Sequence, residues 1–512
     1  MSERRGRAAR VAARAAGPTE AERAVRPGLT GGRYRPLSES DMQRIYATAL
    51  YLLETVGMGT PVPEFVEAVT EAGGSFENGR LLFPRTLIER GIELAAKSFV
   101  WHGLDENRSI ELIGEKVHFG TAGAAVLMLD HKTRRFREST TEDLYDLARL
   151  ADVLEHIHFF VRPVVARNTA DSRELDINTA YAIMAGTTKP IGTSYFRPEH
   201  VYETVEMFDM VLGGEGEFRK RPFLVANNTF VVPPMRFAYE SAECMVAQVR
   251  TGMPINLLSA GQAGATSPAT LGGSVVQALA ECLAALTCVN LMNPGHPCVM
   301  GLWPFVSDLR TGAMSGGSGE EALLSAASAQ IANWLGLPSG VPAGMADSKL
   351  PDAQAGHEKG LNVALVANSG SNLVYESAGM LASLLSCSLE MMVIDNDLLG
   401  AANRTLRGIE VDDDSMASAV IQEVIGGVGH FLGHEQTLGH MQKDYVYPVV
   451  GDRLSPDDWV DAGATSVADR AHEYVKKTLA SHHPSNIDAT VDAAIRSKFP
   501  IKLAAETVDG SD

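Results

Sequence analysis

INLLSAG (residues 255–261) and CVMGLW (residues 298–303) are two of eight short apolar runs that decide the fold of this chain. Segments of helix length separate the runs. The other six read VHFGTAG (117–123), FFVRPVV (159–165), PIGTSYF (190–196), FLVANNT (223–229), GVPAGMAD (340–347) and LVYESAG (373–379). Continuous apolar runs of this length are typical of parallel strands that are buried on both faces. Eight such strands alternating with helices predict an α/β fold, a closed (β/α)8 TIM barrel.

The length of the chain leaves room for more than a barrel. The chain has 512 residues, whereas a barrel needs about 250. Helical patterns occur on both sides of the strand runs, including residues 412–433 and 455–481. We predict a disordered basic tail over residues 1–33, an N-terminal helical subdomain over 34–112, the barrel over 113–400, and a C-terminal helical extension over 401–512.

Composition excludes several classes of partner. The net charge of −19 disfavours nucleic acid, which would require a basic face. No apolar run approaches the roughly 20 uncharged residues of a membrane span, so we expect no membrane contact. The five cysteines show no CxxC or other metal-binding spacing. They are interpreted as buried reduced thiols, which places the protein in the cytoplasm.

Aromatic residues collect at the ends of the runs, where the loops of a TIM barrel carry the chemistry. They are Tyr195, Phe196, Trp303, Phe305 and Tyr375. Aromatic faces at one barrel mouth would attract a quaternary ammonium group by cation–π interaction, about 0.5–2 kcal/mol per ring. The alternative is that the rings only plug the barrel or pack against its loops.

Charged residues lie near the same ends. Arg162 could hold a substrate carboxylate with two hydrogen bonds, or it could form an internal ion pair. Asp347 follows the seventh run and Glu376 lies in the eighth. A charge at such a position must be paired or face a wet site. His357 begins the helix after the seventh run and could contact a ligand or cap its own loop.

Two other motifs suggest ligand contacts. His430 and His434 lie four residues apart on a helical pattern, which raises the possibility of zinc, although the HExxH order is absent. Gly316 and Gly317 belong to MSGGSGEE (residues 314–321), which precedes a helix. Such a loop could receive an anion on free amides, or let a large flat ligand approach the backbone.

Several blocks together resemble the trimethylamine methyltransferase family, corrinoid-dependent enzymes of the (β/α)8 class. The resemblance extends over about residues 38–501. The most specific blocks are GLPSGVPAGMADSKLPDAQAGHEK (336–359), SLEMMVIDND (388–397), INLLSAGQAGATSP (255–268) and GSGEEALLSAA (317–327).

One position separates the branches of that family. Archaeal trimethylamine enzymes carry pyrrolysine next to the segment that reads ADSK here, and the matching residue in this chain is Met345. A thioether cannot capture an amine as the pyrrolysine imine is thought to do. The resemblance therefore implies the non-pyrrolysine branch, which is similar to glycine betaine demethylases and other quaternary amine demethylases.

The resemblance implies methyl transfer from a quaternary amine, with glycine betaine first, to the Co(I) corrinoid (cobalamin) of a carrier protein. It implies no tightly bound cofactor or metal, and a homo-oligomer is expected. Alternatives are proline betaine, carnitine, choline, a sulfonium compound or trimethylamine as methyl donor, zinc-dependent transfer, and a non-catalytic binder. The expected catalytic residues are Met345, Asp347 and His357; the expected substrate-binding residues are Tyr195, Phe196, Trp303, Phe305, Tyr375, Glu376 and Arg162; the expected corrinoid-facing residues are Gly316, Gly317, His430 and His434.

Overall fold

Eight parallel strands form the centre of the molecule in the computed structural model, which describes residues 23–484 and 486–510. Each of them lies in one of the eight apolar runs, with β1 beginning one residue before its run, so the predicted strands are confirmed. The strands are β1 (Lys116–Thr121), β2 (Phe159–Val161), β3 (Ile191–Thr193), β4 (Leu224–Ala226), β5 (Ile255–Ser259), β6 (Cys298–Leu302), β7 (Gly340–Pro342) and β8 (Leu373–Tyr375).

The sheet closes into a barrel. Its strands pair in parallel in the order β6-β5-β4-β3-β2-β1-β8-β7. The two end strands are joined by a parallel bridge between Met300 and Ser339. The Met300 N–H also donates to the Pro338 carbonyl at 2.8 Å. The predicted (β/α)8 barrel is therefore confirmed, and all eight strands direct their carboxyl ends to one mouth.

Among the residues that the structure describes before the barrel are three α-helices, α1 (Glu39–Thr55), α2 (Pro63–Glu71) and α3 (Arg85–Leu94). The Ser38 side chain caps α1 by accepting the Asp41 N–H. This part is not purely helical, because it also holds short antiparallel strands. These are Met58–Gly59, Ser75–Glu77 and Arg80–Leu82 in one sheet, and Phe99–Trp101 with Ile110–Leu112 in another. Asn78 and Gly79 both have positive φ and close a tight hairpin, as Asn-Gly pairs do.

One helix follows each barrel strand and packs outside the sheet. These helices are α4 (Thr141–Val153), α5 (Ser172–Gly186), α6 (Pro198–Leu212), α7 (Tyr239–Thr251), α8 (Leu271–Met292), α9 (Gly319–Trp334), α10 (Ala353–Ser369) and α11 (Leu389–Arg407), with short turns at Glu217–Lys220 and Glu106–Arg108. Contrary to the expectation from composition, α8 is long and apolar enough to cross a membrane. However, 83% of its most apolar window is buried, as in a core helix.

The C-terminal extension contains short helices separated by glycine turns. They are α12 (Ser418–Gly426), α13 (Glu435–His440), α14 (Pro456–Asp461), α15 (Val467–Ser481), α16 (Ala489–Lys498) and α17 (Ala505–Asp509). The helical patterns at residues 412–433 and 455–481 predicted two long helices, and the predicted lengths are wrong, because the helices in both ranges are shorter. Gly429, Gly433 and Gly463 adopt positive φ and interrupt them, since glycine enters this region without steric cost.

The N-terminal segment is ordered where the structure describes it, from residue 23. Leu29–Thr30 forms a strand that pairs antiparallel with β1. Ala24 and Val25 are buried, and the Asn403 side chain donates to the Arg26 carbonyl. The predicted disordered tail is therefore wrong for residues 23–33, because their apolar side chains cover the foot of the barrel. Residues 1–22 lie outside the described residues.

Small strands in the loops border the mouth. Leu127–Leu129, Phe136–Glu138, Met380–Leu381 and Ser386–Cys387 form a four-stranded sheet from the loops after β1 and β8. Gln262–Ala263 pairs with Phe305–Val306, which joins the loops after β5 and β6. These pairings fix the loops on which the functional residues lie.

Aromatic rings fill the barrel along its axis. Trp101, from the hairpin at the foot, contacts Phe159, and Phe159 contacts Tyr375, with ring centroids 5.2 Å apart in both pairs. Tyr375 in turn contacts Trp303 at 5.2 Å. The column closes the barrel from below and leaves Trp303 as the floor of the mouth.

Candidate functional site

A cavity of about 440 Å³ opens at the carboxyl ends of the strands. Its volume lies in the range of small-molecule sites, about 300–1,000 Å³. Residues that end or follow seven of the eight strands line it, all except β7. The lining includes Arg162, Ser194, Tyr195, Phe196, Asn227, Asn228, Trp303, Phe305, Glu376 and Leu384.

Trp303 and Phe305 provide the aromatic wall of the cavity, with ring centroids 6.1 Å apart. The Trp303 indole is held in place because its N–H donates to the Gly340 carbonyl at 2.9 Å. A side chain at Gly340 would lie 2.7 Å from the Tyr375 ring, so this close approach requires glycine. A tryptophan fixed in this way presents a rigid π-face to a cation.

The other three aromatic candidates have different positions. Tyr195 borders the cavity, but its side chain belongs to the hydrophobic cluster between strands and helices. Phe196 lies at the rim and is 52% exposed. Tyr375 is fully buried beneath Trp303 and does not line the cavity. The structure therefore supports the alternative that Tyr375 plugs the barrel and does not bind a ligand.

Arg162 follows β2 and is oriented by neutral groups. Its guanidinium donates to the Gly123 carbonyl at 3.2 Å and to the Ser194 hydroxyl at 2.5 Å. The Asp176 carboxylate behind the site is engaged with His200 at 2.6 Å instead. Burial lowers the pKa of Arg162 to about 10, so the side chain is still charged at neutral pH. It retains the capacity to bind an anion within the cavity.

Glu376 follows β8 and lies in an unfavourable environment. Its backbone has φ +58°, a strained conformation for a residue with a side chain. The side chain is 1% exposed, and one carboxylate oxygen has no hydrogen-bond partner among the described residues. Burial raises the pKa of Glu376 to about 8. A cation in the cavity would compensate for the cost of ionising this group.

Glu321, in the first turn of α9, is a second buried carboxyl that sequence reasoning missed. Burial, and then the nearby Glu376, raise the pKa of Glu321 well above its ordinary range. One of its oxygens also lacks a partner among the described residues. Two carboxyls this close repel each other when both are charged. The signal for Glu321 is an acidic residue in an otherwise apolar helix face.

Asp347 joins three loops of the mouth. Its carboxylate accepts hydrogen bonds from the Gly316 N–H at 2.8 Å, the Ser383 hydroxyl at 2.7 Å and the Ser315 hydroxyl at 3.0 Å. Its own N–H donates to Glu358 at 2.8 Å. Asp347 is thus placed to position loops, and it does not line the cavity.

Met345 and the two glycines pack against each other behind these loops. Met345 is fully buried, and a side chain at Gly316 would lie 2.8 Å from its Cβ. A side chain at Gly317 would collide with the Glu358 carboxylate. Gly316 and Gly317 are buried by this packing and do not line the cavity, so their role as corrinoid-facing residues stays a prediction. His357 is exposed in α10 and does not line the cavity either.

The predicted corrinoid-facing histidines also lie elsewhere. His434 is the N-cap of α13 and accepts the Gln436 N–H, while His430 is exposed in the glycine-rich turn after α12. They do not share a helical face. Their segment ends near Asp444, whose carbonyl accepts a hydrogen bond from Arg404 at the end of α11 at 2.8 Å. That His430 and His434 face a corrinoid stays a prediction.

The described residues contain no group of three His, Cys, Asp or Glu side chains that could hold a metal ion. All five cysteines are buried and free. Burial raises the pKa of the Cys282 and Cys298 thiols far above the ordinary range. These thiols are therefore poor nucleophiles and poor metal ligands.

Polar residues that sequence reasoning missed support the mouth from below. The Asn228 side chain bonds both the N–H and the carbonyl of Tyr195, at 3.2 and 2.7 Å. Asn227 accepts the Asn256 amide at 3.0 Å. The sequence signal for Asn227 and Asn228 was the run FLVANNT, in which these two amide side chains follow an apolar strand.

A buried ion pair lies behind the same loops. Lys359 of α10 donates to Asp395 of α11 at 3.0 Å, and both side chains are fully buried. Asp395 also accepts the Gly379 N–H at 2.7 Å, and Lys359 donates to the Gly344 carbonyl. The pair therefore links the loops after β7 and β8.

Comparisons with known proteins agree with this architecture. The family model described as trimethylamine methyltransferase (MTTB) matches residues 3–506. Trimethylamine methyltransferase MttB of Desulfitobacterium hafniense (strain DSM 10664 / DCB-2) is 30% identical over 472 residues, which cover 92% of this chain and 93% of that protein. Trimethylamine methyltransferase MttB1 of Methanosarcina acetivorans is 32% identical over 478 residues, 90% and 94% of the two chains.

A relative that is named for another substrate is similar over nearly the same length. Glycine betaine methyltransferase of Desulfitobacterium hafniense (strain Y51) is 27% identical over 465 residues, 91% of this chain and 96% of that one. Among solved structures, the monomethylamine methyltransferase MtmB of Methanosarcina barkeri matches with a TM-score of 0.51, 87% and 88% coverage and 11% identity. At that identity the likeness shows the fold alone.

Proposed function

Because this chain belongs to the trimethylamine methyltransferase (MTTB) family, we propose that it transfers a methyl group from a carboxylated quaternary amine to the corrinoid of a carrier protein. Glycine betaine is the leading substrate. The observation that carries the proposal is one cavity that holds both an aromatic wall and the charged Arg162 guanidinium, which donates to a carbonyl and a hydroxyl. The five buried free cysteines are in keeping with a reducing, cytoplasmic location.

The ammonium end of the substrate would lie at Trp303 and Phe305. Each ring contributes about 0.5–2 kcal/mol of cation–π attraction. Glu376 adds a carboxyl that is largely protonated in the empty cavity at neutral pH, because burial raises its pKa to about 8. A bound quaternary ammonium would favour its ionised form, so cation binding and proton release from Glu376 are linked.

The carboxylate end would lie at Arg162. A hydrogen bond to a charged group contributes about 1.5–3 kcal/mol, and a guanidinium can offer two. Choline and trimethylamine have no carboxylate and would leave this charge without an anion. This contact therefore favours betaines, including proline betaine and carnitine, over uncarboxylated amines.

The chain's own residues would act by orientation and desolvation. The breaking N–C bond leaves its electron pair on nitrogen, so the departing tertiary amine is neutral and needs no acid. The Co(I) corrinoid of the carrier is the second substrate and supplies the nucleophile. Trp303, Arg162 and Glu376 would hold the N-methyl group toward the open mouth while the aromatic column excludes water from below.

The rim of the mouth offers a surface for the carrier protein. Exposed apolar side chains stand on the loops after β3, β4, β6, β7 and β8; they are Phe196, Val232, Leu309, Leu350 and Leu385. Apolar patches on a surface mark interaction sites. We propose this rim as the surface that faces the corrinoid, since Gly316 and Gly317 are buried.

The proposal is tested with a substrate panel and free cob(I)alamin, following its absorbance as it becomes methylated. We expect methylation with glycine betaine and, more slowly, with other carboxylated quaternary amines. Choline and trimethylamine should react far more slowly. Methylation by choline at the betaine rate would contradict the role of Arg162.

Two outcomes would replace the proposed activity. Tight binding of glycine betaine in calorimetry without any methylation would indicate a non-catalytic binder. Loss of methylation on chelation, restored by zinc, would indicate zinc-dependent transfer.

A further inference from the structure

A second cavity, of about 860 Å³, lies at the foot of the barrel, opposite the mouth. Its volume is within the range of small-molecule sites, about 300–1,000 Å³. Its inner wall stands at the amino ends of β1, β2 and β3 and carries His118, His158 and Lys189. Residues from 23–28 and from 107–111 form its outer walls. We call it the foot cavity; the proposed methyl transfer uses none of its residues.

The carboxylates of the foot cavity are already engaged, so the cavity has little to offer a cation. Each carboxylate among the described lining residues pairs with a basic side chain: Arg108 with Asp152 at 2.5 Å, Arg23 with Glu155 at 2.6 Å, and Lys116 with Glu111 at 2.5 Å. Asp152 also accepts the Thr187 hydroxyl at 2.8 Å and contacts His482 at 3.0 Å. Its acceptor sites are therefore filled from within the protein.

The arginines of the foot cavity, by contrast, have hydrogen-bond donors to spare. Arg108 and Arg23 each reach their carboxylate through Nη1. The Nε and Nη2 groups of both have no hydrogen-bond partner among the described residues. Guanidinium donors of this kind suit a carboxylate or phosphate group. Burial lowers the pKa of Lys189 on the inner wall to about 7, and a bound anion would favour its charged form.

Two buried histidines on the inner wall each leave one ring nitrogen without a partner among the described residues. The Nε2 of His118 lies 3.2 Å from the Glu111 carbonyl and so carries the proton, which makes its free Nδ1 an acceptor. The Nδ1 of His158 accepts the Phe119 N–H at 3.1 Å, which makes its free Nε2 an N–H donor. Burial lowers the pKa of His118 to about 4 and that of His158 well below its ordinary value, so both rings are neutral at pH 7.

This pair of ring nitrogens is complementary to one hydroxyl group. The two ring centroids are 5.9 Å apart, and a hydroxyl can donate to the His118 Nδ1 while it accepts from the His158 Nε2–H. A metal ion does not fit the pair, because the backbone keeps a proton on the His158 nitrogen that would have to coordinate it. Buried polar atoms without partners are rare in folded proteins, and they mark a place for a ligand or an ordered water.

We propose that the foot cavity binds a small hydroxylated anion. Its hydroxyl lies between His118 and His158, and its negative charge lies at the spare donors of Arg108 and Arg23. A hydroxycarboxylate and the phosphate ester of a polyol both have this chemistry. Because residues 23–28 form part of the wall, the ligand also joins the N-terminal segment to the barrel, at the end opposite to the proposed methyl transfer.

Calorimetry of the full-length chain with two matched pairs of anions tests the proposal. Malate differs from succinate, and glycerol 3-phosphate from propyl phosphate, only in hydroxyl groups. We expect the hydroxylated member of one pair to bind about fivefold tighter than its match, since one hydrogen bond contributes about 2- to 10-fold. The pair that shows the difference identifies the ligand as a carboxylate or as a phosphate ester. Neutral glycerol should bind far more weakly than either anion.

Three variants locate the bound anion. Arg108→Met should weaken binding of the tighter anion about tenfold, because it removes a charged donor. His118→Phe keeps a ring and should erase the difference between the hydroxylated anion and its match. The control Arg250→Met removes an arginine that pairs with Glu64 outside the foot cavity and should leave binding unchanged. Circular dichroism and urea midpoints check folding, and Arg108→Met keeps the test decisive where His118→Phe does not fold.

Three results would overturn the proposal. The first is no binding of any of the four anions at about 10 mM. The second is equal affinity within both pairs, which would leave the histidine nitrogens to an ordered water. The third is binding that Arg108→Met leaves intact, and its loss in Arg162→Met would then place the anion at the mouth. The readout is binding alone, so this test and the test of the proposed activity can fail independently.

Discussion

Glu376 shows at the level of one residue how the cavity is adapted to a cation. It combines a left-handed backbone with a buried carboxyl that has one unpartnered oxygen among the described residues. Strain of this kind costs about 1–3 kcal/mol and persists only where the surrounding structure imposes it. Neighbouring Tyr375 lies in β8, where its ring completes the aromatic column, although its hydroxyl also lacks a hydrogen-bond partner among the described residues. Adjacent residues of one strand end thus serve the ligand and the core separately.

We predict that Arg162→Met raises the KM for glycine betaine about 10- to 100-fold, the equivalent of losing 1.5–3 kcal/mol of charge-assisted hydrogen bonding. The KM for choline should change much less, because choline has no carboxylate. Steady-state kinetics with both substrates measure the difference. Arg162→Lys serves as the control that keeps the charge and loses the two-pronged geometry. An equal rise for both substrates would show that Arg162 acts on the fold instead.

A second prediction concerns the pH dependence of stability. Burial raises the pKa of Glu376 to about 8 in the folded protein, whereas in the unfolded chain the pKa of this carboxyl is the ordinary glutamate value of 4.5. The free energy of unfolding therefore falls as the pH rises through that window. Glu376→Gln should remove a slope of up to about 1.4 kcal/mol per pH unit. Urea unfolding at pH 5.5, 6.5 and 7.5 measures it, and parallel pH profiles for the two proteins would contradict the pKa assignment.

At the level of elements, side chains from neighbouring helices hold the loops of the mouth in place. Lys359 and Asp395 link α10 to α11 and bind the backbone of the loops after β7 and β8. Asp347 links the loops after β6, β7 and β8 through Gly316 and Ser383. Sequence reasoning assigned Asp347 to catalysis, since an acid at a strand end can serve either purpose.

We predict that Asp395→Ala lowers the free energy of unfolding by about 3–5 kcal/mol, because it leaves the Lys359 ammonium buried without its partner. The double variant Lys359→Met with Asp395→Leu should lose less, since it removes both charges. Glu217→Ala, which breaks the exposed pair with Lys220, is the control and should cost less than about 1 kcal/mol. Urea unfolding measures all three. A double variant less stable than Asp395→Ala would show that the hydrogen bonds matter more than the charge.

At the level of the whole molecule, the barrel depends on segments from both ends of the described chain. The hairpin that carries Trp101 closes the foot, where the indole donates to the Phe223 carbonyl at 3.1 Å. Leu29–Thr30 extends the sheet at β1. Tyr181 of α5 contacts Asp492 of α16. The N-terminal part and the extension are therefore parts of one folding unit with the barrel.

We predict that deleting residues 2–33 lowers the melting temperature by several degrees, because it exposes the surface covered by Val25 and Leu29 and removes the pairing with β1. Deleting residues 2–22 is the matched control and should leave the melting temperature nearly unchanged. Differential scanning calorimetry of both variants makes the comparison. Equal melting temperatures would show that residues 23–33 contribute little to stability.

The sequence by itself determined the barrel, its eight strands and the end at which the site would lie. Burial on both faces leaves a continuous apolar run for each strand, and such a run can be read locally. The start of the third helix was likewise readable from Pro84, whereas the cap of the first helix is Ser38 and not the predicted Ser40 or Asp41.

Only the tertiary structure decided which side chains enter the cavity. Tyr195 and Trp303 both end apolar runs, yet one packs outward and the other forms the floor of the cavity, because contacts distant in sequence set each rotamer. The same holds for His430 and His434, which do not share a helical face, and for Met345, which the packing of Gly316 buries. Spacing along a chain gives the strand end on which a residue stands, whereas its neighbours across the barrel determine what its side chain contacts.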